Sequence, residues 1–203
     1  MIKRHSYYRI PGFFWGVLLA LLCSCTVAPV HTDSPVGMQA DSRPVVIEEV
    51  PFYAQEIYQC GPASMAGVLN YWDIAVTPEE IARDIYSPSA RGTLTLDMVL
   101  YAQRKGLAAK HYSGGWDDLR QKVAAQQPLV VLVDNGMLFY QLHHFMVVVG
   151  YTGSQVIVNS GGTERMRLDR EKFLASWEKT KFWTLWVHGN AEAGHGAPGA
   201  EGR

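Results

Sequence analysis

Cys60 stands directly before a Gly-Pro pair in the stretch "QEIYQCGPAS", residues 55 to 64. A thiol can serve as a nucleophile, a metal ligand, half of a disulfide or a small apolar filler. As a nucleophile it needs a base or imidazolium partner and a group to orient that partner. Candidates lie downstream: His143 and His144 in "HHFMVVVG", then Asn159 in "QVIVNS". Gln55 and Gln59, shortly before the cysteine, read on their own as polar loop residues. For a metal the pattern is wrong, because adjacent histidines on a strand point to opposite faces and no CxxC or HExxH is present. No metal and no cofactor is expected.

These side chains need elements to bring them together. Pro62 suits the first position of a helix, and Met65, Leu69 and Trp72 then recur along one face, so Cys60 is expected at a helix N-terminus. There the positive end of the helix dipole and unpaired N–H groups favour thiolate and lower its pKa. "TPEEIARDIY" carries a capping-box pattern with Thr77 and Glu80. "TLDMVLYAQRKG", closed by Gly106, and "WDDLRQKVAAQ", stopped before Pro128, read as two further helices. The period then changes. "PLVVLVD", "HHFMVVVG", "QVIVNS" and "FWTLWVH" are short β-branched or aromatic runs that read as strands, with a helix, "REKFLASW", before the last. Helices first and a largely antiparallel sheet afterwards is an α+β layout. The aromatic residues at 71, 72, 116, 177, 183 and 186 read as core or cleft lining.

Only one of the paired histidines can face Cys60. With Thr152 and Gly153 as the central residues of a hairpin, Tyr151 pairs with Ser154 and, counting outward, Met146 pairs with Asn159. Asn159 is then a diagonal neighbour of His144 and shares no face with His143. A one-residue slip reverses the assignment.

The chain start bears on the compartment. Lys3, Arg4 and Arg9 lead into the apolar run "FFWGVLLALL", which is too short to span a bilayer and reads as part of an export signal over residues 1–24. "LCSC" resembles the lipobox of bacterial lipoproteins, which implies lipidation of Cys25, a membrane anchor and a periplasm-facing protein, with Thr26 leaning to the outer membrane. Cys23 then leaves with the signal, and Cys60 is the single free thiol of the mature chain. Residues 25–46 read as the lipidated cysteine and a Pro, Ser and Asp-rich tether, 47–188 as one domain, and 189–203 as a Gly and Ala-rich tail that cannot order itself. With 18 Lys and Arg against 19 Asp and Glu, a formal charge of -1 gives no case for nucleic acid. The charged residues from Glu164 to Lys181 read as a solvated surface.

The set "QEIYQCGPASMAGVLNYW", "HFMVVVGY" and "VIVNSGG" resembles the papain-like cysteine peptidases of the bacteriocin-processing family, which cleave double-glycine leader peptides, and in particular their stand-alone exported lipoprotein branch. The resemblance runs from about Val50 to Val187. It implies a papain-like fold with N-terminal helices packed on the sheet, and a peptide or exported-protein substrate. It further implies Cys60 as nucleophile, His144 as general base and acid, Asn159 as the residue orienting it, and Gln55 in the oxyanion hole. Two departures stand out. The interval from Gln55 to Cys60 is five positions where six is common, which keeps Gln59 in view, and Asn stands where the processing transporters usually have Asp. A non-catalytic lipoprotein that holds a peptide in the same cleft, and an acyl transferase using the same Cys-His pair, are the competing readings.

Overall fold

Alternating or continuous runs of β-branched residues become the centre of one antiparallel sheet, and the helix-period segments cover it. The computed structural model describes residues 43–54, 59–90, 92–137 and 140–189. In chain order the elements are β1 (Val45–Val46), α1 (Cys60–Tyr71), α2 (Pro78–Ile85), β2 (Tyr86–Ser87), β3 (Gly92–Thr93), α3 (Thr95–Arg104), β4 (Ala108–Ser113), α4 (Trp116–Ala124), β5 (Leu129–Asp134), β6 (His143–Tyr151), β7 (Gln155–Ser160), β8 (Thr163–Asp169), α5 (Arg170–Glu178) and β9 (Trp183–His188). The main sheet runs β4-β9-β5-β6-β7-β8, with β1 also paired to β6, and every pairing is antiparallel. The α+β expectation and the papain-like layout hold, and α5 precedes the last strand as expected. One difference of order is that β4 precedes α4, so the helices before the sheet are not uninterrupted.

Helix α1 is the centre of the packing. Ten of its twelve residues are buried, so it is enclosed nearly all round rather than amphipathic along one stripe. It lies chiefly against β6 and α2. Gly67 lets the segment before α1 pass close to the helix, because a Cβ there would lie 2.9 Å from the Pro51 carbonyl oxygen. Met65, Val68 and Leu69 join Leu129, Val131, Val148 and Leu185 in a single core. α2 begins as its sequence predicts: the Thr77 hydroxyl accepts from Glu80 N at 3.2 Å and the Glu80 carboxylate accepts from Thr77 N at 2.8 Å.

The strands β4 and β8 are not evident as apolar runs in the sequence. Both are edge strands of the sheet, and "AAKHYS" and "TERMRLD" carry the charged and polar side chains that edges use to avoid further pairing. Val45 and Val46, expected in the tether, pair with Tyr151 and Gly150, and Ile47 N donates to Val149 O at 2.7 Å. Among the described residues no helix is long and apolar enough to cross a membrane. The expected signal, Cys25, nearly all of the tether and the tail beyond residue 189 lie outside the described residues.

Candidate active site

Cys60 is the first residue of α1, with Gln59 as N-cap, and Pro62 falls at the third helical position rather than the first. The shift moves the thiol from just outside the helix into its first turn, where N–H groups lack intrahelical partners. Gln59 is exposed and its side chain makes no capping bond. Thr93 of β3 closes over this turn: a Cβ at Gly61 would lie 2.6 Å from Thr93 Oγ1 and 2.7 Å from Thr93 Cβ. The sequence gives no sign of Thr93 in this place, because its two-residue strand belongs to a small separate hairpin, β2-β3.

His144 is supplied by β6, which pairs with β5 without a shift from His143 to Val148. His144 and Val147 therefore point to opposite faces. On the other side Val147 pairs with Asn159, not Met146. Asn159 thus lies on the face away from His144, and the next residue, Ser160, lies on the His144 face. His144 Nε2 and Ser160 Oγ are 2.8 Å apart. Asn159 is engaged elsewhere: its Oδ1 accepts from Arg165 N at 2.9 Å. That bond holds a bulge in β8, where Glu164 and Arg165 stand opposite the single residue Asn159 and Arg165 adopts φ 50°.

The assignment of Asn159 as the partner of His144 is accordingly corrected, and the cause is local. The Thr152 hydroxyl accepts from Ser154 N at 3.3 Å and from Gln155 N at 3.0 Å, which makes Gly153 and Ser154 the central residues of the turn. This displaces the register by two, and the extra residue Val149 in β6 returns it by one. A net slip of one residue remains, and it exchanges Asn159 for Ser160. The sequence signal for Ser160 was only its position next to Asn159 in "VIVNSGG".

Burial sets the protonation states. It pushes the Cys60 thiol above its ordinary value of 9.0, and the backbone N–H groups of Phe145, Gly61 and Cys60 pull back only in part. It lowers His144 from its ordinary 6.5. The lowered thiol pKa expected from the helix N-terminus is therefore not found, because desolvation outweighs the backbone donors. Near neutral pH the pair rests as thiol and neutral imidazole.

Cys60, His144 and Ser160 line one cleft of about 1120 Å³, together with Thr93, Leu94, Tyr140, Leu142, Phe145, Met166 and Leu168. None of its described lining residues is Asp, Glu, Lys or Arg. One lip is the connection from β5 to β6, fixed at its base by Asp134. A single carboxylate oxygen accepts from Gly136 N and Leu142 N, each at 2.8 Å. The Leu142 and Gly136 N–H groups, helped by His143 and Lys179, hold this carboxyl below its ordinary 3.8. His143 itself is exposed and pairs in register with Asp134. Gln55 lies outside the described residues. Among the described residues, no three of His, Cys, Asp and Glu gather where they could hold a metal ion.

Comparison with known proteins agrees with this geometry. A Pseudomonas fluorescens protein described as "Probable functional amyloid protease FapD" is 28% identical over 136 residues, which are 63% of this chain and 57% of that protein. The chain therefore spans little more than half the length of this relative. The fold is that of the solved peptidase domain of Streptococcus ComA, a bi-functional ABC transporter (TM-score 0.59, 20% identity, 70% of this chain and 99% of that one). It is also that of a double glycine motif protease from an AMS/PCAT transporter, solved with its leader peptide (TM-score 0.55, 21% identity, 75% and 96%). Residues 47–184, well over half of the chain, match the Peptidase_C39 like family. With a cysteine opening its central helix and a histidine lining the same cleft, this protein belongs to that family of cysteine peptidases.

Proposed function

We propose that this protein hydrolyses peptide bonds with Cys60 as nucleophile and His144 as its base, on peptides or exported proteins, while anchored through lipid at Cys25. The observation that carries the reading is the placement of Cys60, in the first turn of α1, and His144, on β6, in one cleft. His144, neutral at rest, takes the thiol proton as the sulfur attacks the substrate carbonyl. The oxyanion formed meets the Cys60 backbone N–H and the Gln55 side-chain amide. His144 then gives its proton to the leaving amine, and water hydrolyses the thioester, returning the thiol and releasing the acid.

The cleft also bears on the substrate. Its described lining, without Asp, Glu, Lys or Arg and with many apolar side chains, favours an extended segment that is apolar or small beside the cut bond, and a glycine pair meets the second condition. The double-glycine preference is proposed on that basis and on the resemblance noted above, and a protein substrate draws support from the description of the P. fluorescens relative as a probable functional amyloid protease.

The test is product analysis by mass spectrometry after incubating the full chain, in detergent, with synthetic peptides of about twenty residues with and without a central Gly-Gly pair. Wild type should cut, whereas Cys60→Ala and His144→Ala should lose turnover with the fold intact. Peptide that is retained but never cut by wild type would return the cleft to a binding role. Incorporation of labelled palmitate, lost in Cys25→Ser, checks the anchor.

A further inference from the structure

We infer that Ser160 is the positioning residue of the catalytic pair: its hydroxyl oxygen accepts the Nε2–H of His144 and turns Nδ1 toward Cys60. This rests on the peptidase reading given above, and it names the group that organises the site. Three observations carry it. The 2.8 Å contact joins a buried hydroxyl to the ring, since Ser160 is 5% exposed. The register leaves no alternative from β7, because Asn159 is on the other face with its oxygen committed to Arg165 N. Among the described residues that line the cleft, none is a carboxylate that could stand in for the hydroxyl. The titratable ones there are Cys60 from α1, Tyr140 from the β5–β6 connection and His143, the neighbour of His144 on β6, which is in register with Asp134 of β5. Burial is the one cause that moves His144, with no carboxylate contributing.

The consequence is a neutral third member. A carboxylate in this place would hold the imidazole and also stabilise its charged form, whereas a hydroxyl can fix the tautomer and ring angle alone. A serine also has a proton to donate, so the direction of the bond depends on the tautomer. When His144 takes the thiol proton on Nδ1, Nε2 carries the other, and the Ser160 oxygen is then the acceptor.

The test uses the full chain in detergent with Ser160→Ala and Ser160→Asp. Three things are read: His144 titration by ¹H–¹³C NMR of its ring, alkylation of Cys60 by iodoacetamide against pH on the peptide that carries it, and kcat and KM for the Gly-Gly peptide. Ser160→Ala should lower kcat by about ten- to a hundredfold with KM little changed, as loss of orientation does. Ser160→Asp should raise the His144 midpoint by about one unit or more, because an opposite charge now touches the ring. It should also bring alkylation at pH 6 up at least tenfold over wild type. An unmoved His144 midpoint and an unchanged alkylation profile in Ser160→Asp, or full kcat in Ser160→Ala, would overturn the inference. If wild type cuts no peptide while Ser160→Asp still shifts His144, the coupling stands and the peptidase reading fails instead.

Discussion

Cys60 and His144 are legible from sequence because each is marked by its own neighbours: a Gly-Pro pair that starts a helix, and an apolar run that makes a strand. Their protonation is not legible, because burial by distant elements sets it. The pH dependence follows from the sign of each shift. His144 is lowered from 6.5, so the unfolded chain binds this proton more readily. Stability from this group is present above 6.5 and is lost as pH falls toward the folded value. Cys60 is raised from 9.0, so its contribution is present below 9.0 and is lost as pH rises toward its folded value. Turnover should therefore be level near neutrality and fall only below pH 6.5, when His144 is protonated. Alkylation of Cys60 in wild type should by contrast stay slow until above pH 9, because it follows thiolate. Rate–pH curves for both processes check this, and fast alkylation at pH 6 would mean that the resting pair is thiolate and imidazolium.

The central strands β5, β6 and β7 and the five helices of the described residues were readable as elements, since their periods are set by burial. The edge strands β4 and β8 were not, because half of each faces water and the residues that protect an edge resemble those of a loop. The hairpin between β6 and β7 was readable as a hairpin but not in its register, which turns on one Thr152 hydroxyl and one extra residue at Val149. The turn held by the Thr152 hydroxyl and the bulge at Val149 thus together decide which residue meets His144. The contact between α1 and β3 gives a prediction of the same kind. Gly61→Ala forces a Cβ to within 2.6 Å of Thr93 Oγ1, so it should cost about 1–3 kcal/mol of stability, as overpacking does. It should also lower turnover by displacing Cys60. Urea unfolding measures the first and peptide cleavage the second, and Thr93→Gly should recover part of both.

The fold depends on one continuous core that joins the α1 side to the α5 side, so damage far from the cleft should be felt in the whole. Trp177 is fully buried, stacks obliquely on Phe173, meets Phe182 edge-on and donates from Nε1 to Trp183 O at 2.9 Å. Trp177→Ala should cost about 3–5 kcal/mol. The midpoint of urea unfolding should fall with the slope unchanged. The pairing of β1 has another consequence. Val46 is opposite Gly150, while the cleft lies at the His144 end of β6, roughly 20 Å away at about 3.3 Å per residue. On the other flank Leu129 aligns with both Val148 and Trp186, which puts His188 at that same far end. Val45 and His188 thus both sit at the rear of the sheet, and the cleft lies at the front. A support joined directly at either of these two residues is attached at the end of the sheet opposite the cleft.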